Sequence, residues 1–402
     1  MRTSWLLIPM LLLASVACEG AGDEVLYSVG DSLGIQVVTV DARHQSGAFS
    51  VDAEPEWVIG YEDDVTFHGV EDAVLLGNGK LAVADRSQQQ VIVIHPESGE
   101  VERWGGPGDG PEEFRGLARV FDLGGERVGA YDRLRARFVV LEDGTFQEVT
   151  SLPRIAETQD PPLLELLPAQ GWDVMYLAAR AGLPGSPEEG AHRGSGPVVR
   201  LHSSGQVDTI TTIPGNTTFV AQGAAGAVPF GATTLLAAGR DGLWIGDTAH
   251  EEVSLFRESS QPLTVARWVA DGSRELTEER VAALWDALEA DVPEEQRAMV
   301  GQLREATPVP ATVPAFGAIH TSPSGALWIG SAVPPEVQML QVPPPSQDWL
   351  VIDFEREEVA RGTTPEGFRL LQVTGDQVVG VQVDALGVEA IAAYRLLWQN
   401  GS

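Results

Sequence analysis

One unit recurs along this chain, and it limits the fold more than any other feature. Each copy reads as an apolar strand, a glycine-type turn, a second apolar strand, a polar loop and a further strand. The clearest copy runs Ala73-Val-Leu-Leu-Gly-Asn-Gly-Lys80, then Leu81-Ala-Val-Ala-Asp85, then Val91-Ile-Val-Ile94. Gly77-Asn78-Gly79 sits between apolar runs, and residues of these types tolerate positive φ, so a hairpin is predicted there. The second strand begins six times, at Leu81, Val128, Val174, Leu243, Leu327 and Val378, with spacings of 47, 46, 69, 84 and 51 residues. A four-stranded propeller blade needs roughly 40–50 residues. The two long spacings have visible causes. Residues 182–196 are a Pro/Gly/Glu-rich loop, and residues 277–305 read as a helical hairpin.

Repeats of this kind either stack openly, with capping repeats at both ends, or close radially. No cap is visible, so the predicted fold is all-β: a six-bladed β-propeller of four-stranded antiparallel blades, spanning 33–402, with a helical insertion at 277–305. The last unit lacks an outer strand after Ile391–Trp398. The run Ile35-Gln-Val-Val-Thr-Val40 is expected to supply it and close the ring, burying two edges that would otherwise invite aggregation.

The first residues have the layout of a secretory signal peptide: Arg2, an apolar run from Trp5 to Val16, small residues, then an acidic segment. Ser15-Val16-Ala17-Cys18 resembles a bacterial lipobox, although Ser15 stands where an aliphatic residue is preferred. Two outcomes stay open: lipidation at Cys18, the chain's only cysteine, or ordinary cleavage after Ala17. Residues 1–17 are thus the expected signal peptide and 18–32 a flexible tether. The protein is expected to be exported, periplasmic or at the cell surface, touching membrane only through the lipid. With one cysteine no intrachain disulfide forms.

The formal net charge is −32. Such a polyanion is repelled by nucleic acid, which we exclude as a partner.

At Gly105-Gly-Pro-Gly-Asp-Gly-Pro-Glu-Glu-Phe114 the chain resembles six-bladed propellers of the NHL-repeat and TolB-like type, in particular their bacterial lipoprotein branch. In that family a glycine-rich segment ending in Phe links one blade to the next. Pro308–Trp328 resembles the same branch. The resemblance covers about 33–398 and speaks to fold more than activity. The third and sixth units lack its strand-ending Asp.

Candidate ligand residues cluster after the second strands: Asp85, Arg86, Asp132, Arg133, Arg180, Asp247 and His250. The aspartates either hold a cation at one rim or cap turns by accepting backbone amides. The arginines would select an anionic ligand. The seven histidines show no metal-ligand spacing, and no nucleophile elbow or phosphate loop occurs. We therefore expect a monomeric cell-envelope binding or scaffold module for a protein, peptide or glycan, with no catalytic residues and no cofactor. The alternative is a metal-dependent lactonase- or lyase-like propeller enzyme with a divalent cation in its central channel. The 277–305 insertion is either a lid or a surface decoration.

Overall fold

The structure is a computed structural model that describes residues 27–43, 47–61, 65–153, 155, 163–168, 174–180, 188–221, 224–270 and 272–400. Cys18 and the expected signal peptide lie outside them. Four N-terminal strands come first: β1 (Tyr27–Ser32), β2 (Ile35–Asp41), β3 (Gly47–Val51) and β4 (Trp57–Ile59). Four-stranded units follow. The first is β5 (Val70–Leu75), β6 (Leu81–Asp85), β7 (Gln90–Ile94) and β8 (Val101–Gly105). The second is β9 (Leu117–Asp122), β10 (Arg127–Asp132), β11 (Arg137–Glu142) and β12 (Thr145–Ser151). Next come β13 (Leu163–Pro168), β14 (Val174–Arg180), the short β15 (Gly190–His192), β16 (Ser195–His202) and β17 (Val207–Pro214). Here β15 leaves the main sheet to pair with β18 (Thr218–Ala221), which also pairs with β19 (Ala224–Ala227).

The following unit is β20 (Thr234–Gly239), β21 (Gly242–Asp247), β22 (Glu252–Phe256) and β23 (Thr264–Val269). Two helices intervene, α1 (Glu278–Asp291) and α2 (Glu294–Ala306). Then come β24 (Ala318–Thr321), β25 (Leu327–Gly330), the short α3 (Pro335–Met339), β26 (Gln347–Asp353) and β27 (Glu358–Thr364). The last strands are β28 (Phe368–Val373), β29 (Gln377–Val383) and β30 (Glu389–Asn400).

Within each unit neighbouring strands are antiparallel, as in a propeller blade. The first strands of successive units, β5, β9, β13, β20, β24 and β28, follow one another around a circuit, and β28 returns to β5. Second strands are sandwiched between neighbouring sheets. Leu81, Ala82, Val83, Ala84 and Asp85 are all fully buried. That is why they read as unbroken apolar runs and not as an alternation.

The closing strand differs from expectation. Ile35–Val40 does not pair with the last unit. As part of β2 it adds in parallel to the outer edge of β23, with Gln36 opposite Thr264 and Val40 opposite Trp268. Val38 and Val40 are buried there against Trp268 and Phe316. The last unit is completed by β4, whose Ile59, Val58 and Trp57 face Ile391, Ala392 and Ala393 of β30. A three-residue strand carries too little periodicity to be seen in sequence. β3 adds a second clasp between β27 and the far half of β30. The expected tether also runs too far, because β1 is a strand within its last residues, hydrogen-bonded to β2 along its length.

The glycine-rich loop crosses from β8 to β9 as anticipated. Phe114 is fully buried, Phe114 N–H donates to Gly106 O, and Gly108 N–H donates to Phe114 O. Gly105 has φ +90°, and a Cβ there would stand 2.6 Å from the Phe114 ring. Gly105→Ala is expected to cost about 2 kcal/mol through backbone strain and overpacking, read as a lowered urea midpoint with unchanged slope.

Candidate functional site

Strand register places one set of chain ends together. Val70 faces Asp85, Leu117 faces Asp132, Leu163 faces Arg180, Thr234 faces Asp247 and Phe368 faces Gln382. The first strands start, and the second strands stop, at this end of the ring. Every excursion from the repeat leaves from here too: the β15–β18–β19 sheet, α1 with α2, and α3. At the opposite end the strands are joined by tight connections such as 76–80, 143–144 and 240–241. Functional loops on a rigid scaffold gather in this way on one face.

The strand-ending aspartates sit at this face, with their oxygens turned on the backbone. Asp85 is fully buried and accepts from His68 N–H at 3.0 Å and Gln88 N–H at 2.9 Å. Asp132, also fully buried, accepts from Arg115, Gly116 and Arg135 N–H, and Arg137 Nε lies 3.6 Å away. Asp247 accepts from Ala249 N–H and pairs with Arg193 at 2.9 Å. His250 is exposed, and its N–H donates to Asp247 O. Arg180 is the last residue of β14.

Arg86 and Arg133 have a different setting. Each follows the second strand of its unit, and both guanidinium groups approach Glu71, at 3.7 and 3.9 Å. Glu71 sits on a β-bulge: β5 faces β6 with Val70 opposite Asp85 and Asp72 opposite Ala84, so Glu71 has no opposite number. Bulges re-aim side chains and favour functional positions. Arg133 Nε is buried with no hydrogen-bond partner among the described residues.

Deeper in, the first strands carry charges that sequence reasoning missed. Their inner edges have no further strand to pair with, and polar side chains from neighbouring units fill that role. Asp72 accepts from Val120 N–H at 3.2 Å. Gln372 accepts from Leu75 N–H and donates to Leu75 O. Arg369 donates to Val70 O at 2.7 Å, while Glu389 accepts from Gly69 and Val70 N–H. Arg119 reaches Glu165 at 3.2 Å and Asp72 at 4.0 Å.

The electrostatics follow from this crowding. Burial pushes the Asp72 carboxyl up, outweighing Arg119. Burial opposes the charge on Arg119, yet Asp72 and Glu165 together hold it above the ordinary arginine range. Burial lowers Arg369. His320, on β24, is lowered to about 4, first by burial and then by the positive charge of Arg119. Its ring packs 5.6 Å from Trp349. Four arginines (Arg86, Arg119, Arg133, Arg369) thus stand among four carboxylates (Glu71, Asp72, Glu165, Glu389), on or beside the first strands. For a chain with 58 acidic and 26 basic residues, that is a local enrichment in cation. Among the described residues no group of three or more His, Cys, Asp or Glu is placed to hold a metal ion.

The helical insertion is anchored at the same end of the units, by the turn after Asp247. Thr277 caps α1 by accepting from Arg280 N–H. Leu284 of α1 packs with Phe230 and Leu276. Arg274 pairs with Glu251 at 2.7 Å and donates to Ala249 O, which ties the insertion to the turn after Asp247.

No known family model matches the chain, and no curated protein matches it significantly. Solved structures do resemble it. A Bacteroides fragilis protein designated as exported is 11% identical with a TM-score of 0.48, covering 90% of this chain and 99% of its own. Catalytically inactive virginiamycin B lyase from Staphylococcus aureus, with quinupristin, is 9% identical with a TM-score of 0.42, over 87% and 100% of the two chains. Aldose sugar dehydrogenase from Streptomyces coelicolor, in its PQQ-bound form, is 13% identical with a TM-score of 0.44, over 88% and 100%. At these values none of them carries a site or an activity over to this chain. Among the described residues no helix is long and apolar enough to cross a membrane.

Proposed function

We propose that the chain is a six-bladed propeller working at the cell envelope as a binding or scaffold module. In this reading residues 1–17 are removed on export, and Cys18 carries the lipid that tethers the domain. The bound group is anionic and enters at the mouth formed by Glu71, Arg86 and Arg133, with Arg119 and Arg369 behind. The helical hairpin and the β15–β18–β19 sheet wall one side of that mouth. The units β5–β8, β9–β12 and β28–β30 with β4 leave the other side low.

One observation carries the reading: all the long excursions leave from the end where the arginine cluster opens. Loops of this kind supply recognition, while a guanidinium pair brackets a carboxylate or phosphate bidentately. Glu71 partly balances the charge of the two arginines until a ligand anion joins them.

The test is direct. Replacing both outer arginines (R86A with R133A) is expected to weaken an anionic ligand about tenfold or more, about 1.4 kcal/mol, with little change in the unfolding midpoint. Calorimetry against uronic acids, inorganic phosphate and peptides with free C-terminal carboxylates reads the effect. Binding of every probe at wild-type strength by the double variant would refute the site. Deleting 277–305 without effect on binding would remove the wall from it.

A further inference from the structure

Three equivalent turns stand side by side at the end where the second strands stop. Each joins the second strand of its unit to the third: residues 384–388 between β29 and β30, 86–89 between β6 and β7, and 133–136 between β10 and β11. Polar contacts link the three units in that order. Glu389, which opens β30, accepts from Gly69 and Val70 N–H at 2.9 and 2.7 Å, and Arg86 N–H donates to Gly69 O. Glu71, next along the same strand, faces Arg86 with one carboxylate oxygen and Arg133 with the other. At 3.7 and 3.9 Å neither contact is a hydrogen bond, so both guanidinium groups keep donors for a second anion.

The two outer turns are apolar where they meet solvent. Ala385, Leu386, Gly387 and Val388 are all exposed, Leu386 at 88%. Their backbone is fixed nonetheless. One Asp384 oxygen accepts from Leu386 and Val388 N–H, both at 2.8 Å, and Gly387 N–H donates to Asp384 O. A turn held in this way presents its leucine to a partner at little cost in ordering. On the far side, Leu134 follows Arg133 and is 47% exposed. It rests on Gly116, where a Cβ would stand 2.5 Å from the Leu134 Cγ. The order along this face is therefore apolar, cationic, cationic, apolar.

That order narrows the occupant. Its anion sits between the arginines, and apolar groups extend from the anion to both sides. Successive side chains of an extended peptide point in opposite directions. A single acyl chain leaves its carboxylate in one direction and covers one flank. We infer that this face binds the free C-terminus of a polypeptide whose last two residues are apolar. The inference rests on the anion site proposed above and adds what is attached to the anion. The terminal carboxylate pairs with Arg86 and Arg133. One of the last two side chains packs on Leu386 and Val388, and the other packs on Leu134.

Calorimetry on the purified chain tests this with four probes: acetyl-Gly-Gly-Leu-Leu with a free carboxylate, its C-terminal amide, acetyl-tetraglycine with a free carboxylate, and decanoate. The Leu-Leu acid is expected to bind about tenfold more tightly than the amide or the tetraglycine acid. L386S and L134S change exposed side chains, so the fold should be kept. Each is expected to weaken the Leu-Leu acid about fivefold and to leave the tetraglycine acid unchanged. R86A with R133A should remove the preference for acid over amide. If the tetraglycine acid matches the Leu-Leu acid, the apolar flanks take no part, and this inference falls while the anion site stands. Wild-type affinity of the Leu-Leu acid in both leucine variants has the same meaning. Decanoate binding more tightly than the peptide would assign the face to acyl chains and overturn the inference. An acid preference that survives the double arginine change would remove the anion site, and this inference with it.

Discussion

Asp132→Ala is expected to lose about 3–5 kcal/mol of stability, the largest effect of any single substitution considered for this face. The carboxylate is fully buried and accepts three backbone N–H groups, from Arg115, Gly116 and Arg135. Its truncation orphans all three donors. It also leaves Arg137, 6% exposed on its side chain, beside a vacant position where its counter-charge stood. Arg137 is already lowered by burial, so a lost partner leaves it costlier still. Asp85→Ala orphans two amides and is expected to cost less. Asp247→Ala should cost least, because Asp247 and its partner Arg193 are each over one-fifth exposed. Urea unfolding of the three variants reads this order. A stable Asp132→Ala protein that had lost ligand binding would reverse it, and would return the aspartates to the ligand.

The order also explains what could be read from sequence. Features written in consecutive residues were legible. The Gly77–Gly79 turn forms with Gly79 at φ +84°. Thr277 caps α1, and Phe114 anchors the crossing between sheets. The recurring Asp at the end of a second strand was visible, and so were its two roles. At Asp85 and Asp132 the turn-capping geometry is the one present. Arg86 and Arg133 each follow a second strand, which the repeat shows; Glu71 between them has no sequence signal, because a bulge leaves no trace in an apolar pattern. The central charges were harder still. Arg119, Glu165, His320 and Arg369 come from four different units, so no spacing links them. A signal existed nonetheless. Each is a polar residue within the apolar first strand of its repeat: Leu-Ala-Arg-Val, Leu-Leu-Glu-Leu, Ala-Ile-His-Thr, Phe-Arg-Leu-Leu. Aligning the repeats on their first strands would have exposed that column. Strand closure failed for a different reason. Ile35–Val40 has the stronger alternation, and outer-edge pairing to β23 satisfies it as well as ring closure would have done.

Stability should fall on acidification in a way that His320 controls. Its imidazole titrates at about 4 in the folded protein against 6.5 as the ordinary value, first because it is buried and then because Arg119 faces it. Arg369 adds to the same effect, while the hydrogen bond that the imidazole donates to the Leu371 backbone opposes it. Between these two pH values the unfolded chain takes up the proton and the folded one does not. The contribution is therefore fully present above pH 6.5 and is lost as pH falls toward 4. Between pH 7 and 4.5 the loss through this one group is expected to be about 2 kcal/mol. Asp72 works in the opposite sense, since its raised carboxyl favours the folded state at low pH, so total stability alone does not isolate the histidine. The comparison is between wild type and His320→Gln, each unfolded in urea at both pH values. The variant should lose about 2 kcal/mol less on acidification. Equal losses would mean that solvent reaches His320 freely. The consequence reaches the proposed site. A neutral imidazole beside Arg119 and Arg369 can accept a hydrogen bond from a ligand whose anion those arginines hold. Protonating it would add a third cation to a wall already short of counter-charge. Anionic ligands should then bind more tightly as pH falls through about 4, while the protein that holds them becomes easier to unfold.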